Sequence, residues 1–159
     1  MKVEGTYTRY MGMFQTNTPD RLGPIRSARD CFLDRMVEYN ATYAHFGGSY
    51  TALQRIEQMM YSDLNGMTMG GDAMFRDDST GKEAPHNVYA DAKALRQIMA
   101  DREDDFKVEV EPLAFNNTVK PSAGAQPAQT VTIEYAGDNE TRYEYQADTG
   151  LYRRYKDAH

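Results

Sequence analysis

Cysteine is nearly absent. Cys31 is the only one in 159 residues, which excludes an internal disulfide and any zinc site built on cysteines. Long apolar runs are missing as well: mean hydropathy is -0.76, and no window approaches the ~20 apolar residues of a membrane span. There is no basic excess, since 18 Lys and Arg stand against 24 Asp and Glu for a formal charge of -6. A nucleic-acid partner, which requires a basic surface to displace phosphate counterions, is therefore not expected. No apolar stretch follows the charged start in Met1 to Tyr10, so no signal peptide is read there. Ser27-Ala28-Arg29-Asp30 lacks the apolar and small residues that precede a lipidated cysteine. No internal repeat is found. The chain as given is expected to be soluble.

What is present suffices for a core: 40% hydrophobic residues, 11% aromatic, in a length that suits one domain or one domain with an appendage. Thr6 to Gln15 (TYTRYMGMFQ) reads as a strand before the turn cluster Thr16 to Asp20. Leu22 to Arg26 reads as a short edge strand, because Pro24 cannot donate to a ladder. Ser27 is placed to cap a helix bearing Phe32, Leu33, Met36 and Val37 on one face and ending at Tyr39-Asn40. Ala41 to Phe46 reads as a buried strand broken by Gly47-Gly48. Ser49 then caps a second helix with Leu53, Ile56 and Met60 inside. Residues 61 to 83 read as a long loop with a short strand at Met74-Phe75. A third helix is expected over Val88 to Arg102.

The composition changes after that, and Asn116 to Gln129 reads as a linker or long turn. Thr130 to Tyr135, Thr141 to Tyr145 and Leu151 to Tyr155 form an antiparallel meander. The fold class is thus α/β: a mixed sheet with three helices, followed by a small antiparallel β subdomain. The division expected is 1-112 for the α/β part, 113-129 for the linker and 130-159 for the β part. Both ends read as the boundaries of a fragment.

Chemistry is expected at three junctions. In Gly23-Pro24-Ile25-Arg26-Ser27-Ala28-Arg29, a strand gives way to a helix with two arginines on the joint. A helix start attracts anions, and the guanidinium fork matches phosphate or carboxylate. The alternative is that these arginines pair with the many acidic groups. In His45-Phe46-Gly47-Gly48-Ser49, the glycines permit close backbone approach to a ligand, although no Gly-Lys-Ser/Thr follows to make a phosphate loop. The alternative there is a half-buried His45 held by a carbonyl. In Ala84-Pro85-His86-Asn87, Asn87 is placed to cap the third helix. The helix dipole would then keep His86 neutral as a base or ligand, the alternative being a plain capping loop. Convergence of Arg26, Arg29, His45, Ser49 and His86 would make a cationic cleft at the carboxyl edge of the sheet.

Other features read as structural. Cys31 is taken as a small buried residue. Met59, Met60, Met67, Met69 and Met74 are taken as core filler or a soft lid. Asp101 to Asp105 is taken as a solvated helix end. Asp77-Asp78 and the two internal histidines, His45 and His86, are able to ligate a metal, but their spacing matches no known ligand pattern, so no metal and no cofactor is expected.

These motifs, with Val3-Glu4-Gly5-x-x-Thr8-Arg9, Phe14-Gln15 and Tyr43-Ala44 in the same order, resemble the YerB-type lipoproteins of Gram-positive bacteria. The two-part domain of that family is itself of unknown function. Pro127 to Tyr155, with Gly150-Leu151-Tyr152, resembles the start of its C-terminal subdomain. The resemblance implies an extracytoplasmic protein, anchored to the membrane by a lipid that this sequence does not carry. A fainter similarity is to the LytR-CpsA-Psr phosphotransferases, in which arginines hold the pyrophosphate of a lipid-linked glycan with help from magnesium. Arg26 or Arg29, and Gly47-Gly48, would take the corresponding places, but Thr8-Arg9 stands where an aspartate is expected.

The reading reached is binding of an anionic, phosphate-bearing small molecule or envelope glycolipid. Arg26 and Arg29 would clamp it, Ser27, Gly47, Gly48, Ser49 and Asn87 would line the site, and His45 and His86 would shape it or move protons. The alternatives are a phosphotransferase on lipid-linked glycans and a protein-interaction module whose meander offers an edge for strand addition.

Overall fold

The computed structural model describes residues 2-4, 7-102, 111, 114, 123-135 and 140-156. It divides into two compact units, Met13–Pro112 and Met1–Gly12 with Leu113–His159. The units are therefore not a simple succession along the chain, because the first dozen residues group with the C-terminal part. Most of the expected linker, residues 113 and 115-122, lies outside the described residues, as does the acidic end of Asp101 to Asp105 beyond Arg102.

The larger unit contains β3 (Arg21–Leu22), α1 (Asp30–Glu38), β4 (Tyr43–His45), α2 (Tyr50–Gln58), β5 (Asp63–Asn65), β6 (Met74–Arg76), β7 (Val88–Asp91) and α3 (Ala92–Asp101). β3, β7 and β6 form an antiparallel ladder with β7 central, and β4 pairs with β5 in parallel. Residues 25-28 join these two pieces. The Ile25 N–H donates to the Val88 carbonyl at 2.7 Å on one side. On the other, the Phe46 N–H donates to Arg26 O at 3.1 Å and the Ala28 N–H to Gly47 O at 2.8 Å, with a parallel bridge at Ala28 and Gly48. Parallel and antiparallel pairings thus run through one mixed sheet, as the fold class requires.

Side-chain alternation along β4 splits the core in two. Tyr43 packs with Ala28, Leu33, Ala52 and Ile56 beneath α1 and α2. Its neighbour Ala44 packs with Leu64, Met74, Val88, Ala90 and Leu95, together with Ile98 and Met99 of α3. Consecutive strand residues point to opposite faces, so helices cover both sides of the sheet. Gly66, directly after β5, allows close packing against the second cluster. A Cβ built there would lie 2.5 Å from Met74 Sδ and 2.6 Å from Phe46 Cδ2.

Helix limits follow local chemistry. Ser49 Oγ accepts from the Ala52 N–H and starts α2. Asn40, at φ 44, takes the left-handed turn that ends α1. Asp91 Oδ1 accepts from the Lys93 and Ala94 N–H groups and starts α3. Several expectations are corrected here. Val88 to Asp91 is a strand and not the first turn of α3: Val88 and Ala90 are buried while Tyr89 and Asp91 are not, the period-two pattern of a ladder. Asn87 therefore caps no helix. Ser27 does not cap α1, whose N-cap is Arg29 with no side-chain bond. Cys31 is exposed, as are Met59, Met60 and Met67, while Met74 fills the core.

In the smaller unit, β1 (Lys2–Glu4) pairs with β2 (Tyr7–Arg9) as a hairpin, so the strand expected to run on to Gln15 stops at Arg9. β8 (Thr130–Glu134), β9 (Glu140–Gln146) and β10 (Leu151–Lys156) form the expected antiparallel meander with β9 central. The Tyr152 hydroxyl donates to the Ala128 carbonyl at 2.6 Å. Arg154 Nη1 donates to the Tyr10 hydroxyl at 3.1 Å.

Gly66→Ala should lower the stability of the chain by about 1-3 kcal/mol, because the Phe46 ring cannot yield to the added methyl. Urea unfolding measures this, and an unshifted midpoint would contradict the packing described.

Candidate functional site

Residues 26-28, β4 and β5 all run in the same direction. α1 follows the first and α2 follows the second, so both helices begin at the carboxyl edge of this parallel set, where open α/β sheets place ligands. Arg29 and the turn Gly47-Gly48-Ser49 lie there. The hydrogen bonds of the expected residues fall into two groups, one around Arg26 and one around His45.

The first group is built around Arg26. Its Nη1 lies 2.9 Å from the Pro85 carbonyl and 2.9 Å from Nδ1 of His86. A guanidinium has donors only, so His86 Nδ1 must accept, and the ring proton sits on Nε2. His86 is thus set by Arg26 and not by a helix start. Asn87 holds the segment in place. It is buried, its Oδ1 accepts from Arg76 Nη1 at 2.7 Å, and its Nδ2 donates to Asp78 Oδ1 at 2.7 Å. Its role is therefore to tie β7 to the turn after β6. Asp77 in that turn accepts from the Ser79 hydroxyl and backbone N–H and pairs with Arg21, whose guanidinium carbon stands 3.9 Å above the Tyr89 ring. These bonds, that of the Ser79 hydroxyl foremost, hold the Asp77 carboxyl below its usual range, against the opposing effect of burial.

The second group is built around His45, which is fully buried rather than half-buried. Its Nδ1 lies 2.8 Å from the Gly47 carbonyl and its Nε2 lies 2.9 Å from Asp63 Oδ2. The ring thus ties the Gly47 turn to Asp63 of β5. The glycine turn is engaged in the structure itself. The Gly47 N–H donates to Asn65 Oδ1 at 3.0 Å and the Ser49 N–H to Ala28 O at 3.1 Å, while the Ser49 hydroxyl caps α2. A Cβ on Gly48 would lie 2.9 Å from Leu53, so this glycine serves close packing of α2 on the sheet. Arg29 Nη1 turns back to the Ala28 carbonyl at 3.0 Å. Nearby, Arg55 of α2 bridges to Asp30 and Asp34 of α1.

Asp63, Asn65, Arg76 and Asp78 carry these groups, and sequence reasoning misses their part in them. They lie in short or irregular segments, and nothing in their spacing marks them. Among the described residues, no group of three or more His, Cys, Asp or Glu is placed to hold a metal ion. No helix among them is long and apolar enough to cross a membrane.

Residues 1–107 match the family model described as "Protein of unknown function (DUF3048) N-terminal domain". The chain is 28% identical over 160 residues to "Putative lipoprotein YerB" of Bacillus subtilis (strain 168), which aligns 98% of this chain with 47% of that protein. The crystal structure of YerB protein from Bacillus subtilis matches with a TM-score of 0.73 at 24% identity, covering 91% of this chain and 48% of that one. This last likeness shows the fold. The chain spans about half the length of the relatives it matches.

His45→Leu should destabilise the chain by about 1-3 kcal/mol, since the Gly47 carbonyl and the Asp63 carboxylate both lose their buried partner. A chemical denaturation curve superimposable on the parent's would remove His45 as the tie between β4 and β5. Asp77 adds a pH dependence. Its folded-state pKa is depressed, so its contribution is complete above the unfolded value of about 3.9 and is lost as pH falls through the folded one. Asp77→Asn should therefore flatten the acid limb of a stability-against-pH curve, which thermal melts at stepped pH would reveal.

Proposed function

The chain belongs to the DUF3048 family through its N-terminal domain, and on that premise we propose that it binds an anionic, phosphate-bearing ligand of the cell envelope at Arg26 and His86. One observation carries this reading: the contact of Arg26 Nη1 with His86 Nδ1 at 2.9 Å. The contact unites two of the three junctions and fixes the tautomer of the imidazole. With Nδ1 accepting, the guanidinium and the Nε2–H edge of His86 are both donors, which suits the oxygens of phosphate. Pro85 and Asn87 fix the His86 backbone on either side, so little conformational freedom is lost on binding. Arg29, the N-cap of α1, supplies a further cation at a helix start, and its own side chain makes no capping bond. Gly47, Gly48, Ser49 and His45 support the sheet edge through the bonds already described. An extracytoplasmic place, with a lipid anchor outside this chain, is part of the same reading; its support is the name of the Bacillus relative.

Pyrophosphate should raise the melting temperature of the chain. At a hundredfold excess over the dissociation constant the stabilisation is about 2.7 kcal/mol. Arg26→Ala and His86→Ala should each abolish most of the rise, with sulfate at equal ionic strength as the control. A rise of the same size in the double variant, or none in the parent, would overturn the site.

A further inference from the structure

We propose that β8 is a self-pairing edge through which two copies of this chain associate. Among the described residues, β8 pairs with β9 alone, and all five of its residues are exposed. The Tyr145 N–H donates to the Gln129 carbonyl at 2.9 Å, and the register continues Val131 to Tyr143 and Ile133 to Thr141. Hydrogen-bonded pairs alternate along an antiparallel ladder. Val131 and Ile133 therefore direct their backbone groups to β9, while Thr130, Thr132 and Glu134 direct theirs outward.

The two outer edges of this sheet differ. On β10, Arg154 donates to the Tyr10 hydroxyl and Lys156 to the Thr8 hydroxyl, so its charged side chains are already engaged by the first dozen residues of the same unit. β8, with the sequence TVTIE, has no Lys, Arg, Pro or Gly, and every residue before Glu134 is β-branched, the type that favours strand pairing.

Charge and register set the orientation of the second copy. An antiparallel two-fold centred on Thr132 sets Thr130 against Glu134 of the second copy, so no like charges meet. Parallel pairing in register would set Glu134 beside its own copy, which is unfavourable. In the antiparallel arrangement Val131 faces Ile133 of the second copy at the close, non-hydrogen-bonded positions. These side chains are 39% and 40% exposed, and they share a face with Tyr143 and Thr141, so the pairing extends that face across the axis. Such a two-fold closes on itself, and its small area makes the dimer weak and reversible.

Light scattering of the full chain over a rising concentration series should show a monomer passing to a dimer and no further. Thr132→Pro removes an outward N–H without touching the β9 ladder and should abolish the dimer while the circular dichroism spectrum is kept. Ile133→Lys, which leaves the ladder whole, should weaken association by about tenfold or more. A parent that stays monomeric throughout, a dimer that survives both substitutions, or growth beyond the dimer would each overturn the proposal.

Discussion

Residues 25-28 hold the larger unit together. The parallel pair β4-β5 is too small to be stable by itself, and the ladder β3-β7-β6 has only two to four residues in each strand. Hydrogen bonds from Ile25, Phe46 and Ala28 across this segment make one sheet of them. Each bond adds only about 0.5-1.5 kcal/mol, but together they remove two internal edges and give the helices a continuous surface. Ala28 is fully buried, and a Cβ on Gly48 would stand 3.1 Å from its own Cβ. Small residues on both strands let the two halves meet.

The same segment positions the candidate site. Arg26 lies within it, with its carbonyl bound to the Phe46 N–H and its guanidinium reaching Pro85 and His86. The backbone beneath the side chain is fixed from one side and the side chain from the other. His86 is anchored in turn, because Asn87 ties the strand that follows it to Arg76 and Asp78. The geometry of the candidate site is thus a consequence of how the sheet is joined.

What can be read in the sequence is local. The Ser49 cap, the Asn40 reversal, the break at Gly47-Gly48 and the C-terminal meander depend on neighbours within a few residues, and the structure has them. Val88 to Asp91 misleads because Val88, Ala92, Leu95 and Ile98 also fit a helical stripe. The signal that separates strand from helix is Asp91, a better cap than Asn87 and followed at once by Ala92-Lys93-Ala94. The seam at residues 25-28 is not legible, because its partners lie about twenty and about sixty positions away. His86 illustrates both sides. Its association with Arg26 is an expectation of the sequence, but the cause is a direct guanidinium bond and not the dipole of a helix.

The polar residues of the three junctions therefore divide by what their bonds do. Gly47, Ser49 and Asn87 close backbone and turn bonds that the fold itself requires. His45 does the same from a fully buried position. Arg26 and His86 differ, since their mutual bond joins two side chains sixty residues apart and satisfies no ladder or cap. Arg26 Nη1 also donates to the Pro85 carbonyl at 2.9 Å, so the same guanidinium holds the loop that carries His86. That contact between side chains, and not the mere presence of glycine, serine or histidine at a helix start, is what the proposal for Arg26 and His86 rests on.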